Sequence, residues 1–441
     1  MVAYGSFPNL VAAHLASHPD PPSSAGKEQT MASHGIARPA ASVQRTEEQL
    51  QEEHRKIQEY RDLEDLIRTK VAERQYTVEV LNLTSKLLKA NPEYYTIWNV
   101  RRRLLIYGLF SKSSDSSSPS KVWPSTSRID TTPVSSTQPS DSVTTSSEAS
   151  NTALPDPSSP NHGKNGTTLD LIKADLEFLF PIMVGWPKCY WLWNYRLWLL
   201  QEANKRLDSI TARKLWTQEL TLVGKMLVRD SRNFHGWRYR RIVVDELESR
   251  HLQGTSMVEV EFEYTTKVIH GQDGLSNFSA WHRRSKLIPK LLDERGTDDA
   301  GRRQFLDDEF DTIITAMYTD AFPYAQSVWF YYQFLMTTLT DSVGHATITP
   351  NFTQEDRIEY LTCQLSILKE MLEDADDCKW IYDALIEYTM SLSQMEQRQL
   401  DKDETEDCKL WLSKLRVLDP LREGRWDDLD KELSGSRALV Q

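Results

Sequence analysis

Two successive helix starts carry the residues best suited to chemistry in this sequence. Lys188 stands just before Tyr190, where the pattern predicts that a helix begins. A lysine ammonium beside the positive end of a helix dipole favours an anion such as a diphosphate. His235 occupies the turn at the head of the next helix of the same kind, so stacking brings it toward the same edge as Lys188. A solvated lysine and a satisfied turn histidine explain the same spacing, and that plainer reading stands beside the first. No glycine-rich phosphate loop, HExxH, G-x-S-x-G or clustered His/Cys ligand set occurs, so an autonomous enzyme of a common class is not expected.

What positions these residues is a repeated phrase: an aromatic, two residues, a tryptophan, two residues, an arginine. Copies begin at Tyr95, Tyr190, Phe234 and Phe278, and a worn fifth runs from Gln326 to Tyr332. Trp193, Trp237 and Trp281 recur every 44 residues, Trp329 follows 48 later, and Trp98 precedes Trp193 by 95. The excess in that first step falls on residues 111–166, almost pure Ser, Thr, Pro and Asp, which read as a disordered loop insertion. The tryptophans are expected to fill grooves between stacked hairpins. Arg101, Arg196, Arg240 and Arg283 are expected to pair with acidic residues of the neighbouring helix, because a buried guanidinium needs its donors satisfied.

A period of 44 fits one α-α hairpin per repeat. Helical pairs are predicted over 78–92 and 94–110, 169–184 and 190–204, 212–230 and 234–250, 258–270 and 278–292, and 303–320 and 327–339, with further helices to residue 420 closing the array. A charged amphipathic helix over 46–75 precedes them, and no strand is convincing. The fold class expected is all-α, a right-handed α-α superhelical solenoid forming a crescent of hairpins. It spans 46–434, between a disordered N-terminal extension (1–45) and a flexible tail (435–441).

The 441 residues are 39% hydrophobic and carry a net charge of −12. That charge gives a nucleic-acid scaffold little support and disfavours an acidic partner in bulk, leaving room for local basic patches. Cys189, Cys363, Cys378 and Cys408 form no CxxC pair or disulfide framework and read as reduced, buried thiols of a cytoplasmic protein. No run of 18 apolar residues suggests a membrane span, and no secretory leader is recognisable.

The repeated Tyr/Phe-x-x-Trp-x-x-Arg phrase resembles the α-subunit repeat of protein prenyltransferases. The blocks at 91–105 and 187–200, Asp377-Cys378-Lys379-Trp380 and the closing stretch 418–426 are similar to the Rab geranylgeranyltransferase (type II) α subunit of fungal type. Its members commonly begin Met-His-Gly; here Ala32 and Ser33 separate Met31 from His34-Gly35. The resemblance implies a heterodimer with a β subunit, moving geranylgeranyl from geranylgeranyl diphosphate to C-terminal cysteines of Rab GTPases presented by a Rab escort protein. Lys188 then matches the lysine that stabilises the diphosphate leaving group, Tyr190 the aromatic beside it, and His235 the histidine near peptide and diphosphate. Cys189 replaces the family's usual Asn, and Phe234 the usual Tyr. Zinc is implied in the β subunit, not in this chain, with magnesium an open second ion. Two alternatives remain: the α subunit shared by farnesyltransferase and type I geranylgeranyltransferase, acting on CaaX proteins, and a non-catalytic α-solenoid scaffold.

Overall fold

The computed structural model describes residues 46–112, 161–271, 274–319, 324–340 and 348–435. The N-terminal extension with His34, most of the insertion and the last six residues lie outside them. Every regular element among the described residues is a helix. The chain divides into two units, residues 1–65 and 66–441. In the first, the start of helix α1 (Glu47–Ala72) carries Arg55 between Glu52 and Glu59, a solvated face as its charges suggest.

The second unit is a series of hairpins: α2 (Val78–Ala90) with α3 (Tyr95–Leu104), α5 (Asn161–Gly185) with α6 (Tyr190–Arg206), α7 (Ser209–Arg229) with α8 (Phe234–Leu247), α9 (Val258–Ile269) with α10 (Phe278–Glu294), α11 (Asp299–Met317) with α12 (Gln326–Thr340), and α13 (Gln354–Asp374) with α14 (Lys379–Met395). Helices α15 (Lys402–Leu418) and α16 (Glu423–Gly435) close the series. Helix α3 continues through a π-helical turn, Leu105–Leu109, into a last turn, α4 (Phe110–Lys112). Helix thus occupies both ends of the stretch read as an insertion, at 111–112 and 161–166. Gly108 lies in the π turn because a Cβ there would stand 2.4 Å from that of Tyr76.

Side-chain caps fix where the first helices begin. Asp208 accepts from the Thr211 N–H at 2.9 Å, Asp298 from Gly301 at 2.8 Å, and Thr353 and Asp401 each close a capping box. The second helices follow one another in a layer, α3 beside α6, α6 beside α8, and α10 beside α12. The repeat tryptophans Trp98, Trp193, Trp237, Trp281 and Trp329 are all buried. Each indole of the first four donates to the carbonyl six residues before it, those of Pro92, Pro187, Ser231 and Leu275, at 2.8–2.9 Å.

A ladder of buried triads joins successive hairpins. Arg101 donates to Asp175 of the next hairpin, which also accepts from Tyr195 at 2.6 Å. Arg196 grips Glu219 through two bonds of 2.5 and 2.6 Å, and Tyr239 donates to the same carboxylate at 2.8 Å. Arg284, Glu309 and Tyr331 repeat the arrangement. Burial, with the carboxylate beside it, pushes the phenols of Tyr195, Tyr239 and Tyr331 well above their ordinary value, so each stays a donor. The same tyrosines pack against the tryptophan of the preceding repeat, with ring centroids 4.8, 5.2 and 4.6 Å apart. In the next step the charges disappear together: Tyr332 replaces the arginine and donates to Gln364 at 3.1 Å.

Arg283 does pair with an acid of the neighbouring helix, Glu261 of α9, but not as the repeat arginine. Arg284 occupies the repeat arginine's place, and Arg283 stands where the copies at Trp193, Trp237 and Trp329 have the triad tyrosine. Arg240 pairs with Glu261 through Nη2 at 2.6 Å, while Arg283 Nε lies 3.6 Å from that carboxylate and is buried without a hydrogen bond. The physical reason is register: three residues past Trp281 is Arg284, and a helix turns the residue before it to a different face. The expectation of four buried cysteines is also corrected: Cys189, Cys378 and Cys408 are buried, and Cys363 is exposed.

Candidate functional site

The heads of the second helices form one edge. Tyr95, Tyr190, Phe234 and Phe278 open α3, α6, α8 and α10 and are all exposed. The edge is held by N-terminal asparagines that reach back one repeat. Asn233 caps α8 by accepting from the His235 and Gly236 N–H groups, and its amide donates to the Pro187 carbonyl at 2.9 Å. Asn277 does the same for α10, accepting from Ala280 and donating to the Ser231 carbonyl at 2.7 Å. Each side chain therefore starts its own helix and fixes the turn of the previous one.

Lys188 and His235 are brought together by this stitching. Pro187, directly before Lys188, is tied to Asn233, and the His235 ring interacts with the Lys188 backbone. The Tyr190 and His235 ring centroids are 5.9 Å apart, and Phe234 packs on His235 at 3.9 Å. Lys188 itself is 76% exposed, and its nearest carboxylate is Asp230 at 3.8 Å. So long a contact in solvent holds the ammonium weakly. Desolvation and Arg238 hold the His235 imidazole below its ordinary value, opposed by Glu93 and the Lys188 backbone.

The α6 start differs from its neighbours. Cys189 has the backbone angles of the asparagine cap, φ −71° and ψ 108° against −68° and 102° at Asn233, yet makes no side-chain cap. Its thiol reaches the Pro92 carbonyl at 3.4 Å, and burial pushes it up to about 11. The α6 start thus lacks the side-chain cap that Asn233 and Asn277 give their helices, and it lies beside Lys188 at the helix end that favours an anion.

Sequence reasoning placed Lys188, Tyr190 and His235 on this edge. It missed the asparagine stitches and the triad carboxylates, although Asn233 and Asn277, like Asp175 and Glu219, stand 44 residues apart. Among the described residues, no group of three His, Cys, Asp or Glu is placed to hold a metal ion, and no helix is long and apolar enough to cross a membrane.

Known proteins share both the sequence and the fold. The protein prenyltransferase alpha subunit repeat matches residues 78–107, 187–203 and 216–247, which include Lys188, Tyr190 and His235. A Candida albicans protein named geranylgeranyl transferase type-2 subunit alpha is 30% identical over 92% of this chain and 99% of its own. The Saccharomyces cerevisiae protein of the same name is 31% identical over 68% of this chain and 70% of its own. A solved structure, Candida albicans protein geranylgeranyltransferase-I complexed with GGPP, has the same fold, with a TM-score of 0.51, 16% identity, and coverage of 85% of this chain and 91% of that one. The chain belongs to the protein prenyltransferase alpha-subunit family.

Proposed function

We propose that this chain is the α subunit of a heterodimeric Rab geranylgeranyltransferase, in which the edge carrying Lys188 and His235 faces the diphosphate of geranylgeranyl diphosphate. The observation that carries the reading is the joint placement of an exposed lysine, a helix start without a side-chain cap and a histidine whose imidazole is held below its ordinary value by partial burial, stitched together through Asn233. As the isoprenoid carbon leaves for the acceptor thiol, negative charge grows on the diphosphate. The Lys188 ammonium and the α6 N–H groups would stabilise that charge, which is where electrostatic catalysis is largest. His235 would donate or accept a hydrogen bond at the same edge without adding a competing charge.

Zinc, and any magnesium, belongs in this proposal to the partner β subunit, where a bound ion would make the acceptor cysteine a thiolate. The residues of this chain bind and orient the leaving group. Presentation of the Rab acceptor by an escort protein, and a cytoplasmic location, are part of the same reading. The names of the fungal relatives support the Rab-type reading over one in which CaaX proteins are the acceptors.

The test is co-expression with each candidate β subunit, followed by transfer of labelled geranylgeranyl and farnesyl to a Rab with its escort protein and to a CaaX peptide. Geranylgeranyl transfer to the Rab, dependent on escort protein, is expected. Transfer to the CaaX peptide alone would move the chain to the shared α subunit, and binding to no β subunit would leave a scaffold.

A further inference from the structure

The junction between α8 and α10 breaks the ladder in a way that concentrates positive charge. In the other charged triads one arginine and one tyrosine share one carboxylate; here two arginines, Arg240 and Arg283, share Glu261. Arg283 Nε is buried with no hydrogen bond, although the side chain as a whole retains 13% exposure. Around it stand Arg238 and Arg241 of α8 and His282 and Lys286 of α10. Arg238, His282 and Lys286 are exposed, and Arg241 is half-buried. Arg241 is held below its ordinary value by partial burial and by Arg283 and Arg238, with Asp245 the nearby acid. His282 is held down by burial and by Lys286, Arg241 and Arg283. Like charges near enough to perturb one another are an electrostatic cost that a free surface of a chain with net charge −12 has no need to carry.

We propose that the exposed side of the α8/α10 junction is a docking point for a carboxylate-bearing segment of the partner β subunit. The inference rests on the heterodimer proposed above and adds the chemistry of the surface that must meet it. Two features favour a protein carboxylate over the diphosphate. Arg238, Arg241 and Lys286 lie four to eight residues into their helices, which at 1.5 Å per residue is roughly 6–12 Å from the edge occupied by Lys188. Exposed Phe278 and Phe330, in contact with each other at 5.8 Å, border the cluster, and arginines beside aromatics are the composition of a protein interface core.

The experiment measures affinity of the full chain for its β subunit at 50 and 500 mM salt, with the double variant Arg241→Glu/Lys286→Glu and, separately, Arg283→Tyr. The wild-type affinity is expected to fall roughly tenfold or more with salt, and the double variant to bind roughly 100-fold more weakly at low salt with most of the salt dependence gone. Arg283→Tyr restores the triad seen in three other junctions, so it is expected to melt above the wild type and still bind the β subunit several-fold more weakly. That pairing separates a lost contact from a damaged fold. Unchanged affinity and salt dependence in both variants would overturn the inference while leaving the heterodimer intact. A raised KM for the isoprenoid diphosphate with unaltered assembly would overturn it in favour of a ligand site. Failure of the wild type to bind a β subunit at either salt would instead overturn the heterodimer itself.

Discussion

Replacing Glu219 by Gln should do more harm than any surface substitution in this chain. The carboxylate is 2% exposed and accepts from Arg196 Nε at 2.6 Å, Arg196 Nη2 at 2.5 Å and Tyr239 at 2.8 Å. Glu219→Gln keeps the shape but removes the charge, leaving the Arg196 guanidinium, 4% exposed, with the Leu176 carbonyl at 2.7 Å as its other partner. Removing one member of a buried pair costs about 3–5 kcal/mol, since the remaining charge is neither solvated nor matched. A folded domain has about 5–15 kcal/mol in total, so the loss is a large fraction. Replacing the whole triad, Arg196→Met/Glu219→Leu/Tyr239→Phe, removes the three polar side chains at once and should cost less than the single change, although the Leu176 carbonyl loses its donor. Urea titration gives the midpoints, and hydrogen exchange at α7 and α8 locates the damage, which matters because repeat arrays can open locally. A Glu219→Gln variant within about 1 kcal/mol of wild type, or a triple variant worse than the single one, would refute the ladder as the joint between hairpins.

Other consequences are more local. Cys189→Asn places the missing cap on a backbone already in its geometry and gives the Pro92 carbonyl an amide donor. It should stabilise the chain by about 1 kcal/mol, read from the urea midpoint; a destabilised variant would contradict the equivalence of this site with Asn233. The lowered His235 value sets a pH window. The folded state binds fewer protons than the unfolded chain, whose histidine titrates near 6.5, so this group's contribution is present above 6.5 and lost as pH falls through the folded value. Imidazole titration by NMR should place the His235 midpoint below 6.5, and Glu93→Gln should lower it further; a midpoint above 6.5 would overturn the assignment of desolvation as the dominant cause.

The hairpin architecture was legible because the tryptophans keep their period even where an insertion interrupts it. Trp98 and Trp193 are 95 residues apart, yet they occupy equivalent buried places, each bonded to a carbonyl six residues earlier. The arginine register was legible at Arg101, Arg196 and Arg240 and misread at Arg283, where two adjacent arginines make the choice depend on counting from Trp281. The triad carboxylates repeat nearly as regularly, but their role depends on how far one hairpin is offset against the next, and spacing along one helix does not encode that offset. The edge residues Lys188, Tyr190 and His235 were found because charge at a helix start has meaning on its own. Asn233 escaped because its second bond, to Pro187, joins residues 46 positions apart. The α8/α10 cations escaped for the same reason: each is ordinary on its helix, and only packing makes them neighbours.

The central claim is that the Lys188 edge serves the leaving diphosphate within a heterodimer, and the most direct measurement compares wild type with Lys188→Ala after assembly with the β subunit. Single-turnover transfer of geranylgeranyl to a Rab acceptor should fall by roughly 100-fold or more in the variant, with heterodimer affinity unchanged, because Lys188 is 76% exposed and holds no buried contact. Transfer at the wild-type rate by an assembled Lys188→Ala heterodimer would contradict the account.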